Sequence, residues 1–132
     1  MTAQINFKEE MRPGEIISAA PFEIQEEEPG IGEKILCRNC SAHITDKNEE
    51  ISINESDYHL FKNPAGIYFR VICFQNAAGC KIISDYTEMH TWFDGYSWAI
   101  ALCGTCHSHI GWHYISLDRT FYGLIADRLT GI

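Results

Sequence analysis

The sequence is short of positive charge, of long apolar runs and of helical periodicity, and each shortage excludes something. Ten Lys and Arg stand against 18 Asp and Glu, for a formal net charge of −8. Phosphate backbones are bound by clustered Lys and Arg, so nucleic acid is not expected as a partner. The longest uncharged stretch, residues 95–117, is broken by three His, three Ser and three Gly, so no membrane span is expected. Residues 1–20 carry Glu9, Glu10 and Glu15 and lack the apolar centre of a secretory leader, and a Met-Thr start and a Thr-Gly-Ile end match no acylation or prenylation signal, so neither export nor a lipid anchor is expected. The expected location is cytoplasmic. In that reducing compartment cysteines bind metal or stay buried rather than forming a disulfide framework. No segment sustains i, i+3, i+4 spacing, so any helix is short.

What remains is one domain's length, 132 residues, with 45% hydrophobic composition and an unusual supply of six Cys, six His and 16 aromatics. Residues 1–36 hold eight Glu against three Lys and Arg, and only two aromatics. We read 1–34 as an acidic, largely disordered segment, with at most a short docked element near Glu15–Ile17, and 35–132 as the folded domain. Within it, residues 66–74, 81–83, 96–102, 112–115 and 121–125 are dense in β-branched and aromatic residues. Gly, Asn and Asp punctuate them, which predicts short strands of an antiparallel structure.

Cys37-Arg-Asn-Cys40 and Cys103-Gly-Thr-Cys106 are matched Cys-x-x-Cys pairs, 62 residues apart. Two thiolates at this spacing grip one metal from a tight turn, and two such turns complete a tetrahedral shell. A closed four-thiolate shell suits one structural Zn²⁺ per chain, with Cys37, Cys40, Cys103 and Cys106 as ligands. Cys103 to His107 also spells a c-type haem attachment pattern, but that leaves the first pair unexplained. A dithiol redox pair is the other alternative. Cys73 and Cys80 sit in apolar surroundings and read as small buried hydrophobes.

Trp92, Trp98 and Trp112 fall within 21 residues around the second pair, with Tyr114 following. Three indoles beside Gly95 and Gly111 suggest an aromatic cage that excludes water from a small guest. The guest is either a quaternary ammonium held by cation–π attraction or a flat neutral ring whose polar edge meets hydrogen-bonding groups. His90, Thr91 and Asn63 are neutral partners for such an edge. Glu88 and Asp94 are the only acids nearby in sequence.

The run from His90 through Trp92-Phe-Asp-Gly-Tyr-Ser-Trp98 to Cys103-Gly-Thr-Cys106-His-Ser-His-Ile-Gly-Trp112-His-Tyr114, together with Asn63-Pro-Ala-Gly66 and Phe121-Tyr-Gly-Leu124, resembles the thalidomide-binding (CULT) domain family of cereblon. The likeness covers about residues 35–130. It implies an all-β architecture, the β-tent, in which two antiparallel sheets are pinned by the four-cysteine zinc site. It implies that Trp92, Trp98 and Trp112 wall a cage with Tyr114 at its base. An imide N–H would donate to the His90 carbonyl, and the Trp92 N–H would donate to one imide carbonyl. The His90 side chain would reach the other carbonyl, with Asn63 at the rim. Guests of the family are cyclic imides of the glutarimide and thalidomide type, uracil-like and hydantoin rings, and peptides ending in a cyclised Asn or Gln. Animal cereblon carries a Lon-like domain and a ligase-docking helical segment before this domain. No ubiquitin-ligase scaffold segment is visible in residues 1–36, so the chain resembles single-domain bacterial members.

Catalysis is not expected. The β-tent is shared with methionine sulfoxide reductases, whose nucleophilic Cys lies after the second knuckle, and no Cys follows Cys106 here. Ser108 and His109 are neighbours on a strand and should face opposite sides. His109 reads as a packed or hydrogen-bonded histidine, and His113, between Trp112 and Tyr114, as solvent-facing. A methyl-ammonium reader and a redox enzyme remain the alternatives.

Overall fold

The structure, a computed structural model, describes residues 33–132. The acidic segment expected over 1–34, and the short element near Glu15–Ile17, lie outside the described residues but for its last two positions. Among the described residues nine strands form two antiparallel sheets, as the all-β expectation required. The smaller sheet has the order β2-β1-β9, from His43–Asp46, Lys34–Cys37 and Leu129–Thr130. The larger has the order β3-β4-β8-β7-β6-β5, from Tyr58–Lys62, Tyr68–Phe74, Thr120–Ile125, His109–Ile115, Ser97–Cys103 and Cys80–Ile82. Only two short 3₁₀ turns, Lys47–Glu49 and Ala126–Arg128, interrupt the strands among the described residues. No helix there is long and apolar enough to cross a membrane.

Strands β4 to β8 fall where β-branched and aromatic density predicts them. The small sheet and β3 are additions. The large sheet has two working faces, which explains the unbroken burial of Val71–Phe74 at the end of β4. Ile72, Phe74, Ile110 and Leu124 pack with Ile35, Ile44 and Leu129 of the small sheet. On the opposite face Val71, Cys73, Trp112, Tyr114 and Phe121 join Phe93 in an aromatic cluster. Burial on both faces overrides the simple alternation of a half-exposed strand.

Two glycines permit the aromatic face. Trp112 on β7 pairs with Gly123 on β8. A Cβ on Gly123 would stand 3.0 Å from both the Tyr114 ring and the Val71 methyl. At Gly111 a Cβ would fall 2.3 Å from the Gly123 carbonyl oxygen and 2.8 Å from the Leu124 Cα, both backbone atoms that cannot yield. Gly111→Ala is therefore expected to destabilise the domain by at least about 1–3 kcal/mol, the usual cost of overfilling a core. That corresponds to roughly 4–8 °C in Tm per kcal/mol for a domain of this size, and a shift below about 2 °C would contradict so close an approach of β7 and β8.

Candidate functional site

The candidate metal centre is built from two turns of the same design. Strand β1 ends on Cys37 and β6 ends on Cys103. In each turn the N–H four residues on returns to the first cysteine's carbonyl: Ser41 to Cys37 at 2.7 Å, His107 to Cys103 at 2.9 Å. Each first cysteine's N–H in turn donates five residues ahead, to Ala42 at 2.8 Å and Ser108 at 2.8 Å. Ser41 and His107 both take the left-handed conformation at φ 66 that closes such a loop. The Thr105 and Cys106 N–H groups point at the Cys103 sulfur, at 3.4 and 3.5 Å.

The four sulfurs lie within 4.8 Å of one another. Cys37 and Cys106 sulfurs are 3.7 Å apart, and Cys40 and Cys103 sulfurs 3.6 Å apart. Zinc–thiolate bonds of about 2.3 Å in a tetrahedron require sulfur–sulfur edges of about 3.8 Å. The spacing fits that shell and far exceeds a disulfide bond. Both of these short approaches join one turn to the other, so the two turns meet in a single cluster. A bare cluster is electrostatically uneven. Hydrogen bonds from the Asn39 side chain and the Ser108 hydroxyl draw the Cys106 thiol down to about 5. At Cys40 the Ala42 backbone contact lowers the pKa, but burial and the three neighbouring sulfurs outweigh it and push it up to about 12. A divalent cation is what lets four thiolates coexist at these distances. The closed shell leaves no position for a reacting water, so the chemistry such a metal supplies is structural.

On the aromatic face, Asn63, His90, Trp92, Trp98, Trp112 and Tyr114 line one cavity of about 370 Å³. Strand alternation in register places Trp98 opposite Tyr114 on the β6–β7 pair, with Trp112 two residues before it on the same face. Trp92 comes from the loop and is fixed from outside. Its ring stacks on Phe61 at 4.7 Å, and its indole N–H donates to the Lys62 carbonyl at 3.3 Å. The Trp98 N–H likewise donates to the Met89 carbonyl at 2.8 Å. Both indoles thus satisfy their polar ends away from the cavity. Trp92 and Trp112 meet edge to face at 4.9 Å. Tyr114, 1% exposed, is backed by Phe121 in a stack at 5.0 Å.

The loop before Trp92 supplies a polar edge. His90 is left-handed at φ 58, which turns the backbone sharply. Among the described residues the His90 carbonyl and the Trp92 N–H have no hydrogen-bond partner, although neighbouring Thr91 and Tyr96 N–H groups do. Thr91 does not line the cavity. Its hydroxyl returns to the backbone of Phe93, 3.3 Å from the carbonyl and 3.4 Å from the N–H, and so braces the turn. Asn63 closes the β3–β4 hairpin by accepting the Ile67 N–H at 2.9 Å, leaving its amide NH₂ for the rim.

Three cavity residues escape the sequence reading: Pro64, Phe69 and His109. Phe69 stands edge-on to Trp112 at 5.5 Å, and His109 at 5.0 Å. His109 donates from Nε2 to the Gly111 carbonyl at 2.9 Å, which leaves Nδ1 an acceptor. Burial lowers its pKa, so it is neutral at pH 7. His113 corrects an expectation. It faces away from the cage, but it is half-buried, with Nδ1 2.8 Å from the Tyr86 hydroxyl and its ring against Tyr122 at 4.5 Å. Among the described residues no carboxylate lines the aromatic cavity; Glu88 and Asp94 are exposed and lie outside it. Burial pushes both spare thiols, Cys73 and Cys80, up to about 12, which disfavours the thiolate.

A family model described as Yippee zinc-binding/DNA-binding /Mis18, centromere assembly, matches residues 34–126. Protein cereblon of Danio rerio is 31% identical over 102 residues, covering 72% of this chain and 24% of that protein. Protein cereblon of Gallus gallus is 28% identical over 102 residues, covering 72% and 23%. That of Drosophila melanogaster is 24% identical over 106 residues, covering 71% and 17%. The chain thus spans about a quarter or less of the length of these relatives.

Proposed function

Because the chain belongs to the Yippee zinc-binding family, in a cereblon-like form, we propose that it is a zinc-pinned, non-catalytic binder of cyclic imides. The guest is a glutarimide or thalidomide-type ring, a uracil-like ring, or the cyclic imide at the end of a peptide. One observation carries this reading: an aromatic cavity that no carboxylate lines among the described residues, and to whose lining His90 and Trp92 contribute, the His90 carbonyl and the Trp92 N–H being unpaired among those residues. An imide offers the complementary set, one N–H between two carbonyls. The N–H donates to the His90 carbonyl, the Trp92 N–H donates to one carbonyl, and the His90 ring serves the other. Leaving any one of these unmade in a dry cage costs about 1–3 kcal/mol. Trp98, Trp112 and Tyr114 supply the apolar walls, Thr91 braces the loop, and Asn63 guards the rim.

The same observation disfavours a methyl-ammonium guest, which gains most where a carboxylate completes the cage. Redox chemistry lacks a nucleophile, since Cys73 and Cys80 are neutral thiols at pH 7. The DNA-binding term of the family description does not transfer readily, because residues 37–132 hold ten acids against seven Lys and Arg. Reduced thiolates and an inert metal suit a cytoplasmic setting.

Intrinsic tryptophan fluorescence tests the reading. Glutarimide is expected to give a saturable change and trimethyl-lysine none. The reverse pattern would replace the imide with a cationic guest, and turnover of methionine sulfoxide would restore the redox reading.

A further inference from the structure

A second cavity, of about 440 Å³, adjoins the cage. It is lined by Arg38, Asn39, Ser108, His109, Asp127 and Arg128, and His109 also lines the cage. Phe69 marks the same boundary. Its ring lines the cage, and the guanidinium carbon of Arg128 stands 5.8 Å from its centroid. One histidine and one phenylalanine therefore separate the imide site from a charged surface.

The charge of that surface runs against the chain's balance of −8. The described residues contain four arginines, and Arg38, Arg70 and Arg128 gather around Asp127 while Arg119 lies elsewhere. The Asp127 carboxylate is taken by Arg70. Arg38 and Arg128 are fixed instead by neutral carbonyls. Arg38 donates to Asp127 O at 2.9 Å and to Leu129 O at 3.1 Å, and Arg128 donates to His109 O at 2.9 Å. Each guanidinium has five N–H donors, so both keep donors to spare. Their carbonyl bonds hold the heads in place before any ligand arrives, which lowers the ordering cost of binding. The result is two anchored positive charges lining this cavity, with Ser108 beside them, next to a cage that no Asp, Glu, Lys or Arg lines among the described residues.

We propose that this cavity is a carboxylate subsite of the same binding site. The guest is a cyclic imide with an acidic extension, such as a peptide whose terminal Asn or Gln has cyclised and whose preceding residue is Asp or Glu. The imide ring occupies the cage, and Arg38 and Arg128 receive the carboxylate. The proposal rests on the imide reading above and adds the chemistry of what precedes the ring.

The test uses the zinc-loaded full chain and fluorescence titration with unextended glutarimide and three short peptides. The peptides end in the same cyclic imide and differ only in carrying Asp, Asn or Lys before it. At low salt the Asp peptide is expected to bind about five- to tenfold more tightly than the Asn peptide, with the Lys peptide weakest. That advantage should shrink as salt shortens the Debye length to about 3–5 Å. Arg128→Gln is expected to bring the Asp-to-Asn affinity ratio close to one, and the ratio cancels any general effect on the cage. Arg119→Gln removes the same charge outside the cavity and should leave the ratio intact. Equal affinity for all three peptides at low salt would overturn the subsite while leaving the imide reading standing. Failure of glutarimide itself to bind would overturn the imide reading, and the subsite with it.

Discussion

Removing the metal from this domain is expected to unfold it, and Cys103→Ser to do so without any chelator. The centre joins β1 of the small sheet to β6 of the large one at their ends, beside the apolar core they share, and the small sheet's own pairing is slight. Its strands are four, four and two residues long, and β1 meets β9 through just two register pairs. A structural zinc site supplies about 10–16 kcal/mol of apparent binding free energy at neutral pH. A domain's whole stability is about 5–15 kcal/mol. A cluster of four sulfurs within 4.8 Å, without its cation, would also face like-charge repulsion or the cost of burying protonated thiols. Metal analysis should find one zinc per chain in the native protein. After chelation, or in Cys103→Ser, the cooperative thermal transition and glutarimide binding should disappear together. Cys80→Ala is the control: Cys80 lies beside Cys103 on the neighbouring strand but outside the cluster, so zinc and fold should survive. A zinc-free chain that still melted cooperatively and still bound glutarimide would show that the sheets hold without the clamp.

The four-cysteine cluster was legible because each Cys-x-x-Cys turn is a local device, complete in six residues. The small sheet was not, because Leu129–Thr130 is a strand only by virtue of Leu36 and Cys37 at the other end of the domain. Two residues carry no period. The lining of the aromatic cavity was legible in part. Trp98, Trp112 and Tyr114 follow from alternation along paired strands, whereas Trp92 is held by Phe61 and Lys62 from a distant strand. His109 shows a different limit. Between the pairs Ala101–Gly111 and Leu102–His109 the register slips by one residue, so Ile110 is extra on β7. That bulge resets the alternation and brings His109 to the Trp112 ring, where period-two counting from Trp112 places it on the opposite face. Thr91 shows the converse limit. It is adjacent to two cage residues in sequence, yet the left-handed turn at His90 spends its hydroxyl on the backbone.

Of the three cage tryptophans, Trp98 gives the clearest expected effect. Trp112 is 9% exposed and touches Phe69, Trp92 and His109, so its removal would unsettle the aromatic cluster as well as the cage. Trp98 is only half-buried and sits on β6 with its single N–H on the Met89 carbonyl. Trp98→Ala should therefore keep zinc and fold while opening one wall of the cage to water. A central aromatic anchor is worth about 2 kcal/mol or more, so glutarimide affinity is expected to fall by about 30-fold or more. Trp98→Phe keeps a flat apolar face but gives up area and the bond to Met89, so a smaller loss, about three- to tenfold, is expected. Trp92→Ala should resemble Trp98→Ala, because its ring too is clamped from outside the cage rather than buried beneath it. The graded series separates the wall's shape from its mere presence. If Trp98→Ala retained both zinc and the native affinity for glutarimide, the imide would have to bind elsewhere, and the free His90 carbonyl and Trp92 N–H would lose their assigned partner.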